Sequence, residues 1–394
     1  MMATKQFSYD RIPYLIVFDD DSDYRDTYGG VTESVVLESF LMRPKDVPSD
    51  TVIVFMHPIG GGAYLPMSNA LPRAGHHVIY CNSRYRGVDS ALIMEKVVQD
   101  LGACVRDARE RWGYTNVVLA GWSGGGALSL YYQQQAQEPT VTHTPAGDPF
   151  DMAALELQPA DGVMLLAAHV SRHGTLTEWM DASVVDENDP DERDPELDLY
   201  NPDNPNRPPY TEEFLVRYRQ AQVARNRRIT TWVKKTLADL RSRGHTLEER
   251  GFVTHGTMAD PRWLDLSLDP NDREPGCYLG DPQVVNNGPV ALARFSTLRS
   301  WLSQWSYDDA HGDGPRCAAD LRVPTLVIGN SADNACTPSH TQRLYEAVGH
   351  PDKTMHTVQG ATHYYSGPDQ GPKLAEAVSV ITEWMGDRGW AKTL

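Results

Sequence analysis

The sequence predicts an α/β fold, a mostly parallel sheet with flanking helices, interrupted by one large insertion. Three observations carry this. Short continuous apolar runs recur: TVIVFMH at 51–57, HVIYCN at 77–82, NVVLAG at 116–121, GVMLLAA at 162–168 and PTLVIGN at 324–330. Runs of that length suit strands buried on both faces. Segments with helical spacing separate them, and strands joined by helices of ten or more residues imply a parallel sheet. The alternation stops near 169 and resumes near 321.

The elements follow in order. Residues 31–41 (VTESVVLESFL) are β-branched and partly alternating, and read as a strand. Residues 92–112 place apolar side chains at helical spacing, and 124–137 form a second helix. After strand 162–168 the pattern breaks. Residues 171–210 are dense in Asp, Glu, Pro and Asn and read as an irregular solvated region. Residues 211–243 turn helical and basic, which reads as a solvated helix face, with pairing to the acidic loop before it as a looser alternative. Residues 251–320 are rich in Gly, Pro, Asp and Trp, with one helical stretch near 289–306. Beyond strand 324–330, Pro338 to Val348 reads as a helix, 353–360 (KTMHTVQG) as a strand and 369–387 as a final amphipathic helix. The expected organisation is therefore a core over 1–168 and 321–394, with 169–320 inserted as a cap.

Composition bounds the function. The net charge of −17 repels phosphate backbones and anionic headgroups, so neither nucleic acid nor membrane is an expected partner. No segment has eighteen consecutive apolar residues, and the run Ile12–Phe18 is too short for a signal-peptide core. The cysteines Cys81, Cys104, Cys277, Cys317 and Cys336 are odd in number and show no Cys-x-x-Cys spacing. That argues against a disulfide framework or zinc site and suits a cytoplasmic location.

The sharpest motif is Gly121-Trp122-Ser123-Gly124-Gly125, a G-x-S-x-G between a buried strand and a helix. A turn this tight strains the nucleophile's backbone, and small residues two before and two after it avoid clashes. The hydroxyl then stands at the sheet's carboxyl edge near a helix N-terminus, where developing negative charge is favoured. A serine hydroxyl does not ionise unaided. A histidine must take its proton, and an acid must hold the imidazole's tautomer. Asp333 follows strand 324–330 and His363 follows the strand near 353–360, both at carboxyl ends on Ser123's edge. Asp320 and Asp352 flank the wrong strand ends; His350 precedes the last strand and His356 lies inside it. Read blandly, Asp333 is a turn or N-cap residue and His363 a surface or core histidine.

An oxyanion hole completes such a site. His57-Pro58-Ile59-Gly60-Gly61-Gly62 follows strand 51–57, and two amide donors stabilise a tetrahedral intermediate. The Gly124 amide is one expected donor; Ile59 or Gly60 supplies the other. The glycine loop lacks the lysine of a phosphate-binding G-x-x-x-x-G-K-[ST], so nucleotide binding is not expected.

GWSGGG, NSADN and GATH resemble the nucleophile, acid and histidine loops of α/β-hydrolase-fold proteins, over roughly 1–168 and 321–394. HPIGGG is similar to that family's His-Gly oxyanion motif, with Pro58 in place of the first glycine, and NSRYRG at 82–87 to its Asp-x-Arg-Gly loop without the leading acid. The resemblance implies an eight-stranded, mostly parallel sheet, the triad order serine, acid, histidine, and hydrolysis without metal or cofactor. The expected activity is cleavage of a carboxylic ester or lactone through an acyl-enzyme. The alternatives are carbon–carbon bond hydrolysis of a diketone and a non-catalytic binding protein on the same fold. The substrate is expected to be a small molecule held beneath the cap, with Tyr64, Trp122, His169, Trp179 and Tyr364 near the mouth of its pocket. Trp232, Trp263, Trp301 and Trp305 are expected in the cap's core, and the cap is the expected surface for a homodimer.

Overall fold

The computed structural model describes residues 6–20, 27 and 34–391. Strand β1 (Tyr9–Asp19) pairs antiparallel with β2 (Ser34–Pro44). Residues 31–33 of the expected first strand lie outside the described residues. Strand β1 contains the run Ile12–Phe18. Burial alternates along this apolar run: Tyr14 and Ile16 are buried, while Leu15 and Val17 face solvent.

The chain continues through β3 (Thr51–Phe55), α1 (Pro66–Arg73), β4 (His77–Cys81), α2 (Met94–Glu110), β5 (Asn116–Ser123), α3 (Gly125–Gln137) and β6 (Gly162–Ala168). The segment between β6 and the next sheet strand holds α4 (Arg172–Trp179), α5 (Glu212–Ser242) and a two-stranded ribbon, β7 (Gly251–Val253) with β8 (Phe295–Thr297). It also holds α6 (Pro282–Asn286), α7 (Leu298–Ser300), a π-helical turn at Trp301–Trp305, and α8 (Gly314–Ala319). The sheet resumes with β9 (Thr325–Asn330), α9 (Pro338–Ala347), β10 (Lys353–Val358) and α10 (Gln370–Gly386).

The large sheet has eight strands in the order β1-β2-β4-β3-β5-β6-β9-β10. The pairings of β2 with β1 and β4 are antiparallel; the others are parallel. Each face of the sheet carries an apolar layer. On one, Val52, Val54, Leu119 and Leu165 pack with Val97 and Leu101 of α2, Leu128 of α3 and Leu344 of α9. On the other, Ile53, Phe55, Val118 and Ile328 pack with Leu71 of α1 and Ile381 and Trp384 of α10. Because β3, β5, β6, β9 and β10 run parallel, their carboxyl ends share one edge, where loops of a doubly covered sheet form ligand sites.

Two expectations for the insertion change. Residues 172–179 form a helix, with the Ser171 side chain accepting the Gly174 N–H at its start. Its buried residues, Arg172, His173, Thr175, Leu176, Thr177 and Trp179, lie on several faces and leave no single apolar stripe to read. The helix near 289–306 is confined to α7 and the π turn, because Phe295–Thr297 pairs with Gly251–Val253 instead. Near the end of the insertion, Cys317 and Ala318 of α8 belong to the same apolar layer as α3 and α9.

Candidate active site

Ser123 ends β5 with φ 54°, the left-handed region that costs a non-glycine residue energy. Its neighbours show why the turn needs glycine. A Cβ on Gly121 would stand 2.5 Å from the Gly125 carbonyl oxygen, one on Gly125 2.7 Å from the Met56 carbonyl oxygen, and one on Gly126 2.5 Å from Ala168 Cβ. Strand, turn and helix therefore interlock around the serine. The Ser123 carbonyl also accepts the His169 N–H at 3.1 Å, tying the turn to the end of β6.

Asp333 and His363 come to this serine from the loops after β9 and β10. His363 Nε2 lies 3.2 Å from Ser123 Oγ, and His363 Nδ1 2.7 Å from Asp333 Oδ2. The other carboxylate oxygen of Asp333 accepts the N–H groups of Ala335 and Cys336 at 2.7 and 2.8 Å. All three residues are buried. The two loops brace one another: Asn330 donates to the Thr362 carbonyl, Tyr365 donates to Asn330, and Ala332 donates to the Ala361 carbonyl. The indole of Trp122 packs 4.8 Å from the His363 ring and donates to the His363 carbonyl at 3.4 Å.

Asp333, Cys336 and His363 also place their polar atoms within 4.8 Å of one another, a spacing that could suit a metal. Burial and then the Asp333 charge push the Cys336 thiol well up, which favours the neutral thiol. The Asp333 oxygens are already engaged by the two amides and the imidazole.

A cavity of about 250 Å³ opens on Ser123. It is lined by all five residues expected near its mouth, Tyr64, Trp122, His169, Trp179 and Tyr364, together with Ile59, Gly60 and Gly124. Tyr64 is a rim residue, 68% exposed. Trp179 does two things at once: it faces the cavity and packs against Trp263 and Tyr278, with ring centres 5.0 and 5.8 Å apart. Of the four tryptophans expected in the insertion's core, Trp263, Trp301 and Trp305 are buried, but Trp232 is 46% exposed. Its ring rests edge-on against Phe252 on the outer surface of α5. Trp305 also reaches the cavity.

The loop after β3, expected to supply an oxyanion donor, engages its own amides. Gly60 donates its N–H to the His57 carbonyl at 2.8 Å, which removes it as a free donor. Ile59 donates to His57 Nδ1 at 3.3 Å. Gly124 opens the helix, where the first amides have no intrahelical acceptor, and among the described residues no hydrogen bond occupies its N–H.

Several lining residues escaped sequence reasoning. Arg172 donates to Asp89 at 2.7 Å and to Gln304 at 2.9 Å, and lies over the Trp305 ring at 4.2 Å. Tyr278, Leu279, Val290 and Leu292 come from a Gly- and Pro-rich stretch with no periodicity to mark them. His57 was legible as part of HPIGGG, where attention falls on the amides.

No protein-family model matches the chain, and no curated protein sequence does. Among solved structures, the siderophore hydrolase EstB from Aspergillus fumigatus superposes with a TM-score of 0.51 at 13% identity, over 89% of this chain and 94% of that one. The esterase domain of a Rhodothermus marinus protein gives 0.44 at 12% identity, covering 95% and 98%. A monoacylglycerol lipase from Paleococcus ferrophilus gives 0.45 at 15%, covering 89% and 98%. At 13% identity the likeness to EstB is one of fold. With the strand order and the nucleophile turn described above, the chain has the α/β-hydrolase fold. Among the described residues, no helix is long and apolar enough to cross a membrane.

Proposed function

We propose that this protein is a serine hydrolase that cleaves a carboxylic ester or lactone of a small molecule through an acyl-enzyme. The observation that carries the reading is the unbroken chain Ser123 Oγ, His363, Asp333 at 3.2 and 2.7 Å. His363 Nε2 takes the Ser123 proton as Oγ attacks the substrate carbonyl. Asp333 holds the proton on Nδ1, leaving Nε2 as the base, and stabilises the imidazolium that forms. That imidazolium then protonates the leaving alkoxide, and a water activated by the same nitrogen releases the acid. The backbone strain at Ser123 holds Oγ forward without a conformational search.

The cavity supports a compact substrate. Ligand pockets commonly enclose roughly 300–1,000 Å³, and this one, at about 250 Å³, falls just below that range. Tyr278, Leu279, Leu292 and Trp305 of the insertion contribute walls opposite the catalytic edge, which favours the insertion as a cap that sets acyl preference. The test is a panel of nitrophenyl esters of increasing acyl length, assayed with wild type and Ser123→Ala. The expected outcome is turnover of short acyl groups by wild type and a loss of about 10⁴-fold or more in the variant, at an unchanged melting temperature. A fluorophosphonate should label only wild type. Equal labelling of both proteins would move the nucleophile elsewhere.

A further inference from the structure

We propose that the side chain of His57 supplies the second oxyanion donor, through its Nε2–H, beside the backbone amide of Gly124. The inference rests on the serine hydrolase reading and adds a catalytic residue to it.

The argument begins with an inventory of amides on the loop that should provide this donor. Pro58 has none. Ile59 donates to His57 Nδ1 at 3.3 Å, Gly60 to the His57 carbonyl at 2.8 Å, Gly61 to Asn82 Oδ1 at 2.7 Å, and Gly62 to the Tyr80 hydroxyl. Every N–H from 59 to 62 is engaged within the protein. Positive φ angles of 61° and 76° at Gly60 and Gly61 belong to this same closed turn. An oxyanion hole needs a donor that is not already spent and that faces the developing charge.

His57 meets both conditions. Its Nδ1 accepts a backbone N–H and therefore carries no proton. The ring is neutral at working pH, because burial and then the charges of Arg172 and His363 push its pKa down to about 3. A neutral imidazole with a bare Nδ1 must carry its hydrogen on Nε2. Among the described residues no acceptor takes that hydrogen. Nε2 is also in the right place. His57 lines the cavity with Ser123, and its Nε2 would lie 2.9 Å from a Cβ built on Gly124. The imidazole thus stands over the residue whose amide is the first donor, and Gly124 leaves the space between them open. When Ser123 Oγ bonds to the substrate carbonyl carbon, the π pair moves to the carbonyl oxygen and the serine proton to His363 Nε2. The new oxyanion then accepts from Gly124 N–H and His57 Nε2–H. A donor aimed at charge present only in the transition state raises kcat while leaving ground-state binding little changed.

Two substitutions separate this role from a structural one. His57→Asn keeps an acceptor at the Nδ1 position for Ile59 and removes the outer donor. His57→Gln keeps an N–H near the Nε2 position and removes the inner acceptor. The expected result is a kcat loss of about 10²–10³-fold in His57→Asn with KM changed less than about threefold, and recovery to within about tenfold of wild type in His57→Gln. Near-normal kcat in His57→Asn, or a poorer His57→Gln than His57→Asn, would overturn the proposal and return the role to the Ile59 amide. A measurement on wild type covers the case of variants that fail to fold. In protein labelled with ¹⁵N-histidine, the His57 Nε2–H resonance should move downfield when an alkyl boronic acid forms its tetrahedral adduct on Ser123. An unmoved resonance, or a ring protonated on Nδ1, would also overturn it. Ser123→Ala that retains full activity would instead sink the hydrolase reading itself, a distinct outcome.

Discussion

The sheet and the insertion are held together by different physics. In the sheet, β3, β4 and β6 are buried from end to end, and two apolar layers enclose them. The insertion has smaller apolar clusters, and between them it is laced by buried arginines. Arg262 pairs with Asp260 and Glu178, Arg225 with Glu187, Arg299 with Asp148, and Arg172 with Asp89. Arg225 also donates to the carbonyls of Asp181, His255 and Gly256. The acidic loop at 186–196 and the basic helix α5 are thus two halves of one network, and the solvated-face reading holds only for the outer residues of that helix. A core built by area is robust to small changes in any one partner. A network built by charge fails when one partner is lost, because the remainder is left buried and unpaired.

The largest expected stability effect follows from that difference. Arg262→Met leaves Asp260 and Glu178 without their shared cation and should destabilise the protein by about 3–5 kcal/mol in chemical denaturation. Adding Asp260→Leu and Glu178→Leu should restore a good part of the loss. A single variant as stable as wild type would show that the network does not carry the insertion.

Acid should sharpen the contrast from the other side. His76, in the core, bonds Thr382 of α10 and is pushed down to about 4 by burial and then by the His77 charge. A folded pKa below the unfolded one means that the unfolded state binds the proton first. Stability therefore falls as pH drops from about 6.5 to 4, by about 3 kcal/mol for this residue. In the insertion, burial raises the Glu178 carboxyl, but Arg262, His340 and Arg219 outweigh it and hold it well below the usual range. Its contribution is present above the ordinary carboxylate pKa and is lost only as pH falls further. Unfolding free energies measured from pH 7.5 to 4 should decline less steeply in His76→Gln than in wild type. Parallel curves would assign the acid sensitivity to other groups, His57 first.

Trp179 joins the two regions, since it faces Ser123's cavity and packs on Trp263. Trp179→Phe should change the ratio of kcat/KM between acetyl and butyryl esters by about tenfold, an effect of about 1.4 kcal/mol. An equal loss on both esters with a lower melting temperature would make it a packing residue alone. At the bottom of the scale, Arg227 pairs with Asp308 in the open, and Arg227→Ala should leave the melting temperature unchanged. A clear drop there would extend the network's reach to the surface.

The sequence by itself determined the sheet's buried strands, the helices α2, α3, α9 and α10, and the candidate residues Ser123, Asp333 and His363 that the structure brings together. Each of these is written locally. A strand buried on both faces must be continuously apolar, and a nucleophile turn packed against a helix and a neighbouring strand must be glycine at 121 and 125. Strand β1 was not legible, because its continuous apolar run at 12–18 does not mark the alternating burial that the structure gives it. Only the tertiary structure decided which N–H groups of the loop after β3 are already engaged within the protein. The Gly60 amide is spent on a carbonyl three residues back, and His57's tautomer depends on an amide two residues ahead. It alone also decided which residues of the insertion line the cavity. Arg172, Tyr278 and Trp305 arrive there through ion pairs and ring contacts formed across long chain separations. Such contacts need one partner of the right charge or shape far away in sequence and impose no period on their neighbours, so the sequence leaves them unmarked.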